Sequence, residues 1–232
     1  MKKYCIAWVL FVMCSLSAFS QAKPSVTIFG DSYSTFEGYL TPDTMEIWYF
    51  KGRNEPQRTD VQNVRQTWWW QVIQRMGWKL EVNNSWSGAT ICNTGYGDAD
   101  YTYRSFMTRH ASLGQPDVIL LFGGTNDSWC GAPLGEFKYE GWKRADLYCF
   151  RPALAWLLEH MQDRYPTADI FFLLNNDLKE SINTSVNDIC AHYGVPVIKL
   201  SAIDKTSGHP NVKGMQQIAD QVVDSLKKFY KK

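Results

Sequence analysis

The sequence contains no Gly-x-x-x-x-Gly-Lys-[Ser/Thr] segment, no Cys-x-x-Cys pair and no long run of lysine or arginine. The first absence removes the loop that cradles nucleotide phosphates. The second, together with the lack of any Cys/His cluster at zinc spacing, makes the cysteines structural or free thiols rather than metal ligands. The third, with a formal charge of only +1, leaves no basic stripe to neutralise a phosphate backbone, so nucleic acid is set aside as a partner. No Pro/Ser linker, internal repeat or low-complexity stretch interrupts the chain after its first twenty or so residues. One domain is therefore expected over residues 23–232. The apolar fraction of 45 % is ample for a packed core and argues against disorder.

Only one long apolar run is present, from Tyr4 to Phe19, preceded by Lys2 and Lys3 and followed by Ser20-Gln21-Ala22. A basic start, a short apolar segment and small residues three and one before a cut form a secretory signal peptide over residues 1–22. The run is short for roughly 30 Å of hydrocarbon, so no stable membrane insertion is expected. Cys14 lies late in the run, but Met13 before it is larger than the residue a lipoprotein site has there. The protein is thus read as secreted or periplasmic. Loss of the two leader lysines takes the formal charge from +1 to −1. Four cysteines remain, Cys92, Cys130, Cys149 and Cys190. An oxidising compartment permits pairing, and Cys130 with Cys149 is the favoured pair because both flank a Gly/Pro-rich loop.

Short apolar runs rich in β-branched and aromatic residues recur at 25–29, 79–82, 117–122, 168–174 and 195–200, most of them ending in Gly or Asn. Continuous apolar runs suit strands covered on both faces. Helical spacing marks 67–76, stopped by Gly77, then 152–164 opening on Pro152 near its first position, 181–193 before Gly194, and 210–230 with Met215, Ile218, Val222 and Leu226 on one face. Alternating strands and helices predict an α/β fold, a parallel sheet of about five strands between helical layers. Ligands in such sheets sit beyond the carboxyl ends of the strands.

Chemistry-bearing residues cluster at those ends. Gly30-Asp31-Ser32 follows the first strand. A serine hydroxyl needs a sharp turn, a base and donors for an oxyanion before it acts as a nucleophile, and Gly30 offers backbone freedom for the turn. Asp31 and Ser32 would equally serve as helix caps. Asn84-Ser85-Trp86-Ser87-Gly88 follows the second strand, with Gly88 able to present an unobstructed N–H. Gly123-Gly124-Thr125-Asn126-Asp127 follows the third, and an Asn amide donates without charge. His209-Pro210-Asn211 opens the last helix. His110, His160 and His192 lie in helical or irregular stretches without such a setting.

In the order Ser, Gly, Asn, His, these segments resemble the SGNH hydrolase family, also called GDSL. Its first block is similar to Gly30-Asp31-Ser32, its second-block glycine to Gly88, its Gly-x-Asn-Asp block to Gly124-Thr125-Asn126-Asp127, and its last-block histidine to His209. The resemblance implies a flavodoxin-like three-layer α/β/α sandwich. It implies an esterase or acylhydrolase with Ser32 as nucleophile and His209 as base. The oxyanion would be met by the N–H groups of Ser32 and Gly88 and by the Asn126 amide, and no metal or organic cofactor is required. The family's third triad member is usually an Asp three residues before the His, where this chain has Thr206. Either Asp204, five residues before, reaches His209 through a longer loop, or a Ser-His dyad operates with a backbone carbonyl or Ser207 as orienter. Asp31 and Asp127 are read as loop anchors rather than catalytic groups.

The substrate is suggested by the aromatic content, 15 % with ten Trp. Trp48 and Trp68-Trp69-Trp70 lie between the first and second blocks, Trp86 lies inside the second, and Trp129 follows the Gly-x-Asn-Asp block. Such rings either stack on sugar faces or fill the core, with Trp48 and Trp129 the better surface candidates. Arg104 and Arg109 would contact an anionic group or be solvated. The expectation is a carbohydrate acetyl esterase acting on a small or polysaccharide ester. A lipase-like or lysophospholipase-like acylhydrolase is the alternative enzyme. A non-catalytic carbohydrate-binding domain is the alternative of another class.

Overall fold

The computed structural model describes residues 22–52 and 58–231, so the expected leader over residues 1–22 lies outside the described residues except for Ala22. Five strands form one parallel sheet: β1 (Ser25–Gly30), β2 (Lys79–Ser85), β3 (Val118–Phe122), β4 (Asp169–Leu174) and β5 (Val197–Lys199), in the order β2-β1-β3-β4-β5. This is the expected flavodoxin-like sandwich. Alternate residues of each central strand serve opposite faces, as the period of two requires. Val118, Leu120 and Phe122 of β3 pack with the helices α1 (Trp68–Met76) and α6 (Val212–Phe229). Ile119 and Leu121 pack with α4 (Phe150–Arg164) and α5 (Glu180–His192). Two short helices, α2 (Phe106–Arg109) and α3 (Thr125–Cys130), lie in the connections flanking β3.

Helix α1 starts and stops as expected, whereas other element ends differ from the sequence expectation. Helix α1 is bounded by the Thr67 hydroxyl, which accepts from the Trp70 N–H, and by Gly77 at φ +70°. Its Trp68 and Trp69 are fully buried, so these rings are core rather than a sugar platform. Strand β2 runs through Asn83 and Asn84, which pair with Ile28 and Phe29 instead of ending the strand. Helix α4 begins at Phe150, two residues before Pro152. Proline is tolerated there because the first four N–H groups of a helix have no internal acceptor. Helix α6 begins at Val212 rather than Pro210, since His209–Pro210 form a two-residue strand β7 antiparallel to β6 (Lys205–Thr206). The four cysteines are free thiols, and the favoured Cys130–Cys149 bridge is absent. Cys130 Sγ instead contacts the Asp127 carbonyl at 3.7 Å.

The register brings Gly30 opposite both Ser85 and Phe122. The carboxyl ends of β2, β1 and β3 therefore finish level. The chain leaves β1 for one side of the sheet and returns to place β3 on the other. That reversal opens a crevice between the β1 and β3 ends, and the residues that follow those two strands face each other across it. Leu120, fully buried on the central strand, is expected to lose about 3 kcal/mol of stability on substitution by Ala, read as a lower urea midpoint at unchanged slope.

Candidate active site

Ser32 starts a single 3-10 turn (Ser32–Ser34) directly after β1, capped by the Asp31 carboxylate, which accepts the Tyr33 N–H at 3.0 Å. Glycine is required at position 30 for space, not for backbone freedom. A Cβ there would lie 2.5 Å from Ser34 Oγ and 2.8 Å from Ser85 Oγ. Asp31 is fully buried, and burial pushes its carboxyl up to about 7, with the Tyr33 N–H and the Arg109 charge pulling the other way.

His209 reaches Ser32 from the far end of the chain, its Nε2 lying 2.8 Å from Ser32 Oγ. The ring is set by the β6–β7 hairpin. Ser207 and Gly208 form its two-residue loop, at φ +51° and +75°, the positive pair that suits a tight hairpin. The loop turns the Ser207 carbonyl onto His209 Nδ1 at 3.1 Å. A carbonyl only accepts, so Nδ1 carries the hydrogen and Nε2 is left to accept the Ser32 O–H. The hairpin is pinned from below: the Tyr33 hydroxyl donates to the Gly208 carbonyl at 2.6 Å and the Tyr49 hydroxyl to the Pro210 carbonyl at 2.8 Å. Burial holds His209 down to about 4, the Ser207 carbonyl opposing and the positive charges of Arg58 and Lys205 adding to the depression.

Asp204 is not brought to His209. Its carboxylate takes Lys213 Nζ at 2.7 Å and lies 3.5 Å from Gln217 Nε2. The two extra residues between Asp204 and His209 are absorbed by the hairpin, which leaves Asp204 on the α6 side. Of the three orienters weighed from the sequence, Asp204, a backbone carbonyl and Ser207, the one in contact is a backbone carbonyl, that of Ser207.

Asn126 lies in the first turn of α3, after Gly124 at φ +86°. Its Nδ2 donates to the Ala89 carbonyl and its Oδ1 accepts from the Tyr96 hydroxyl, both at 2.9 Å. The amide is thereby fixed beside the turn containing Gly88, at φ +78°. Among the described residues, no acceptor takes the backbone N–H of Ser32 or of Gly88. The Asp127 carboxylate accepts the N–H groups of Ile91 and Cys92 at 2.8 and 3.1 Å, tying the Gly88 segment to α3.

The arginines are braces. Arg104 is largely buried and bonds Glu46, the Ser87 carbonyl and the Tyr103 hydroxyl. Arg109 is buried between Phe29 and Phe106 and donates to the carbonyls of Arg104, Asn84 and Gly30. Burial lowers it to about 9, opposed by the Asp31 charge. Neither is solvated. Trp86 packs its edge toward Tyr103 and adjoins the α4-side core. Trp48 stacks on His209. Trp129 touches Tyr33 and His209 edge-on and is 42 % exposed, so it alone of the three candidates combines contact with the site and an open face. Sequence reasoning missed Tyr33, Tyr49 and Tyr96 as supports. Among the described residues no three His, Cys, Asp or Glu side chains converge on a metal position.

A family model described as GDSL-like lipase/acylhydrolase matches residues 24–226. Among solved structures, the chain is similar to a protein from Bacteroides ovatus ATCC 8483 described as a GDSL-like lipase. Identity is 58 % over 90 % of this chain and 100 % of that one, with a TM-score of 0.87. A second so described, from Bacteroides uniformis ATCC 8492, is 49 % identical over 90 % and 97 %, with a TM-score of 0.86. A family two carbohydrate esterase from Clostridium thermocellum, solved in complex with cellohexaose, shares the fold at 16 % identity over 90 % and 65 %, with a TM-score of 0.61. No curated protein matches the chain.

The two aspartates separate in a stability test. Asp127→Ala strands two buried N–H groups and is expected to cost about 2–4 kcal/mol, whereas Asp204→Ala, removing an exposed pair, stays within about 0.5 kcal/mol. Urea unfolding of both variants checks the contrast.

Proposed function

Because the chain belongs to the GDSL-like lipase/acylhydrolase family, whose members hydrolyse esters, we propose that it is a serine esterase working through a Ser32–His209 dyad. The 2.8 Å contact between Ser32 Oγ and His209 Nε2 carries this reading, with Nδ1 committed to the Ser207 carbonyl. Ser32 Oγ attacks the ester carbonyl carbon while its proton passes to Nε2. The negative charge that develops on the carbonyl oxygen is met by the Ser32 and Gly88 N–H groups and the second Asn126 amide N–H. Collapse expels the alcohol, which takes the proton back from His209. Water, deprotonated by the same nitrogen, then releases the acid from the acyl-serine.

The substrate we propose is an acetylated carbohydrate, met outside the cell by a secreted enzyme. Ser32 and His209 are almost fully enclosed, which suits a small acyl group. The rim carries exposed rings, Trp129 beside His209 and Tyr96 above Asn126, and flat aromatic faces suit pyranose rings. The carbohydrate esterase among the distant neighbours is consistent with this choice.

Ser32→Ala is expected to abolish turnover of p-nitrophenyl acetate while the melting temperature stays near wild type, and the wild-type enzyme to favour acetate strongly over decanoate. Retained turnover in Ser32→Ala would sink the mechanism; preference for decanoate would move the substrate to lipids. Asn126→Ala is expected to lower kcat by about 10²–10³ with a smaller change in KM, measured on the same ester.

A further inference from the structure

We propose that Trp48 is a positioning residue for His209, its indole face fixing the imidazole plane and facing the imidazolium as it forms. This rests on the reading of Ser32 and His209 as nucleophile and base. The two rings lie 3.5 Å apart between centroids and within 8° of parallel. The guanidinium carbon of Arg58 lies 4.1 Å from the Trp48 ring. It must be on the opposite face, because at that distance on the same face it would overlap the imidazole. Both faces of Trp48 are therefore occupied, one by the base and one by a cation. Neither is open to a sugar, which sets Trp48 apart from Trp129.

The placement of Trp48 is tied to both members of the dyad. Its backbone N–H donates to Thr35 Oγ1 at 2.9 Å, and the Thr35 hydroxyl donates to the Ser32 carbonyl at 3.0 Å. The next residue, Tyr49, donates its hydroxyl to the Pro210 carbonyl beside His209. A shift of the Trp48 segment would thus be felt at the nucleophile turn and at the His hairpin together.

The chemistry asks for such a support. The hydrogen-bond partners of the imidazole are a hydroxyl and a backbone carbonyl. Among the described residues, the charged side chains that bear on it are Arg58, over Trp48, and Lys205 from β6, both positive. Each disfavours the imidazolium that must form when Ser32 gives up its proton. In a triad a carboxylate fixes the ring and offsets that charge. Here the hairpin carbonyl fixes the tautomer, and the electron-rich indole face, the best of the aromatic side chains for a cation, supplies the attraction and the plane.

The test compares Trp48→Phe and Trp48→Leu with the wild type, after melting curves show that each is folded. Turnover is measured on p-nitrophenyl acetate and on an acetylated xylo-oligosaccharide, alongside the rate at which a small alkyl fluorophosphonate labels Ser32. Trp48→Leu is expected to lower kcat on both esters, and the labelling rate, by about tenfold or more, with KM within about twofold. Trp48→Phe, which keeps a ring face, is expected to recover most of that loss. Equal losses in the two variants would reduce Trp48 to filling space and overturn the proposal. A KM rise confined to the oligosaccharide, with kcat and labelling unchanged, would make it a sugar contact and also overturn it. Ser32→Ala run in parallel keeps the two levels apart. If it is inactive while Trp48→Leu is fully active, only the role of Trp48 fails; if it is active, the dyad itself fails.

Discussion

One hydrogen bond, between residues 177 positions apart, organises the strand-end face of this protein: Ser32 Oγ to His209 Nε2. It forms only if the first strand ends in a turn that exposes a serine and the last connection folds back as a hairpin. Each end is built locally. The serine turn needs a glycine at position 30 because two serine hydroxyls crowd the missing Cβ. The hairpin needs two residues at positive φ, and Ser207-Gly208 accepts that geometry. The parallel sheet then aligns the two constructions to within hydrogen-bond distance.

The polar supports beneath the site are buried, and their charges are matched to partners that water would otherwise supply. Arg109 joins the ends of β1 and β2 through carbonyls, with its charge set against Asp31. Asp127 holds the segment after Gly88 through two N–H groups. Removing one partner of such a set leaves the other desolvated, which costs more than the bond itself contributes. These residues make the site rigid without touching the reacting atoms. Rigidity is what preorganised donors require, since catalysis gains from groups already aimed where charge will develop.

Much of this was legible in the sequence. The central strands β1, β3 and β4 were readable because both their faces are buried, which makes them nearly continuous apolar runs such as Val118–Phe122. Ser32, Gly88 and Asn126 were findable because each follows closely on a strand end. The sequence does not choose the orienter of His209 among Asp204, a backbone carbonyl and Ser207, because a two-residue hairpin has almost no hydrophobic pattern. Its one signal is the Ser-Gly dipeptide before the histidine. The tyrosine supports and the arginine braces were not readable, because their partners lie elsewhere in the chain: Tyr33 meets Gly208 175 positions away, and Arg109 meets Gly30 79 positions away. The supposed Cys130–Cys149 bridge rested on loop composition alone, and the thiols are free.

The claim that a buried histidine, oriented by a carbonyl and not a carboxylate, serves as the base is tested most directly by the pH dependence of kcat/KM on p-nitrophenyl acetate, for the wild type and Asp204→Asn. Burial places His209 near 4, below its ordinary 6.5. The base works only when neutral, so activity is predicted to hold as pH falls through 6.5 and to decline only near 4, identically in both proteins. An acid limb at 6.5 or above in the wild type that moves in Asp204→Asn would show a carboxylate acting on the histidine, and would contradict the account.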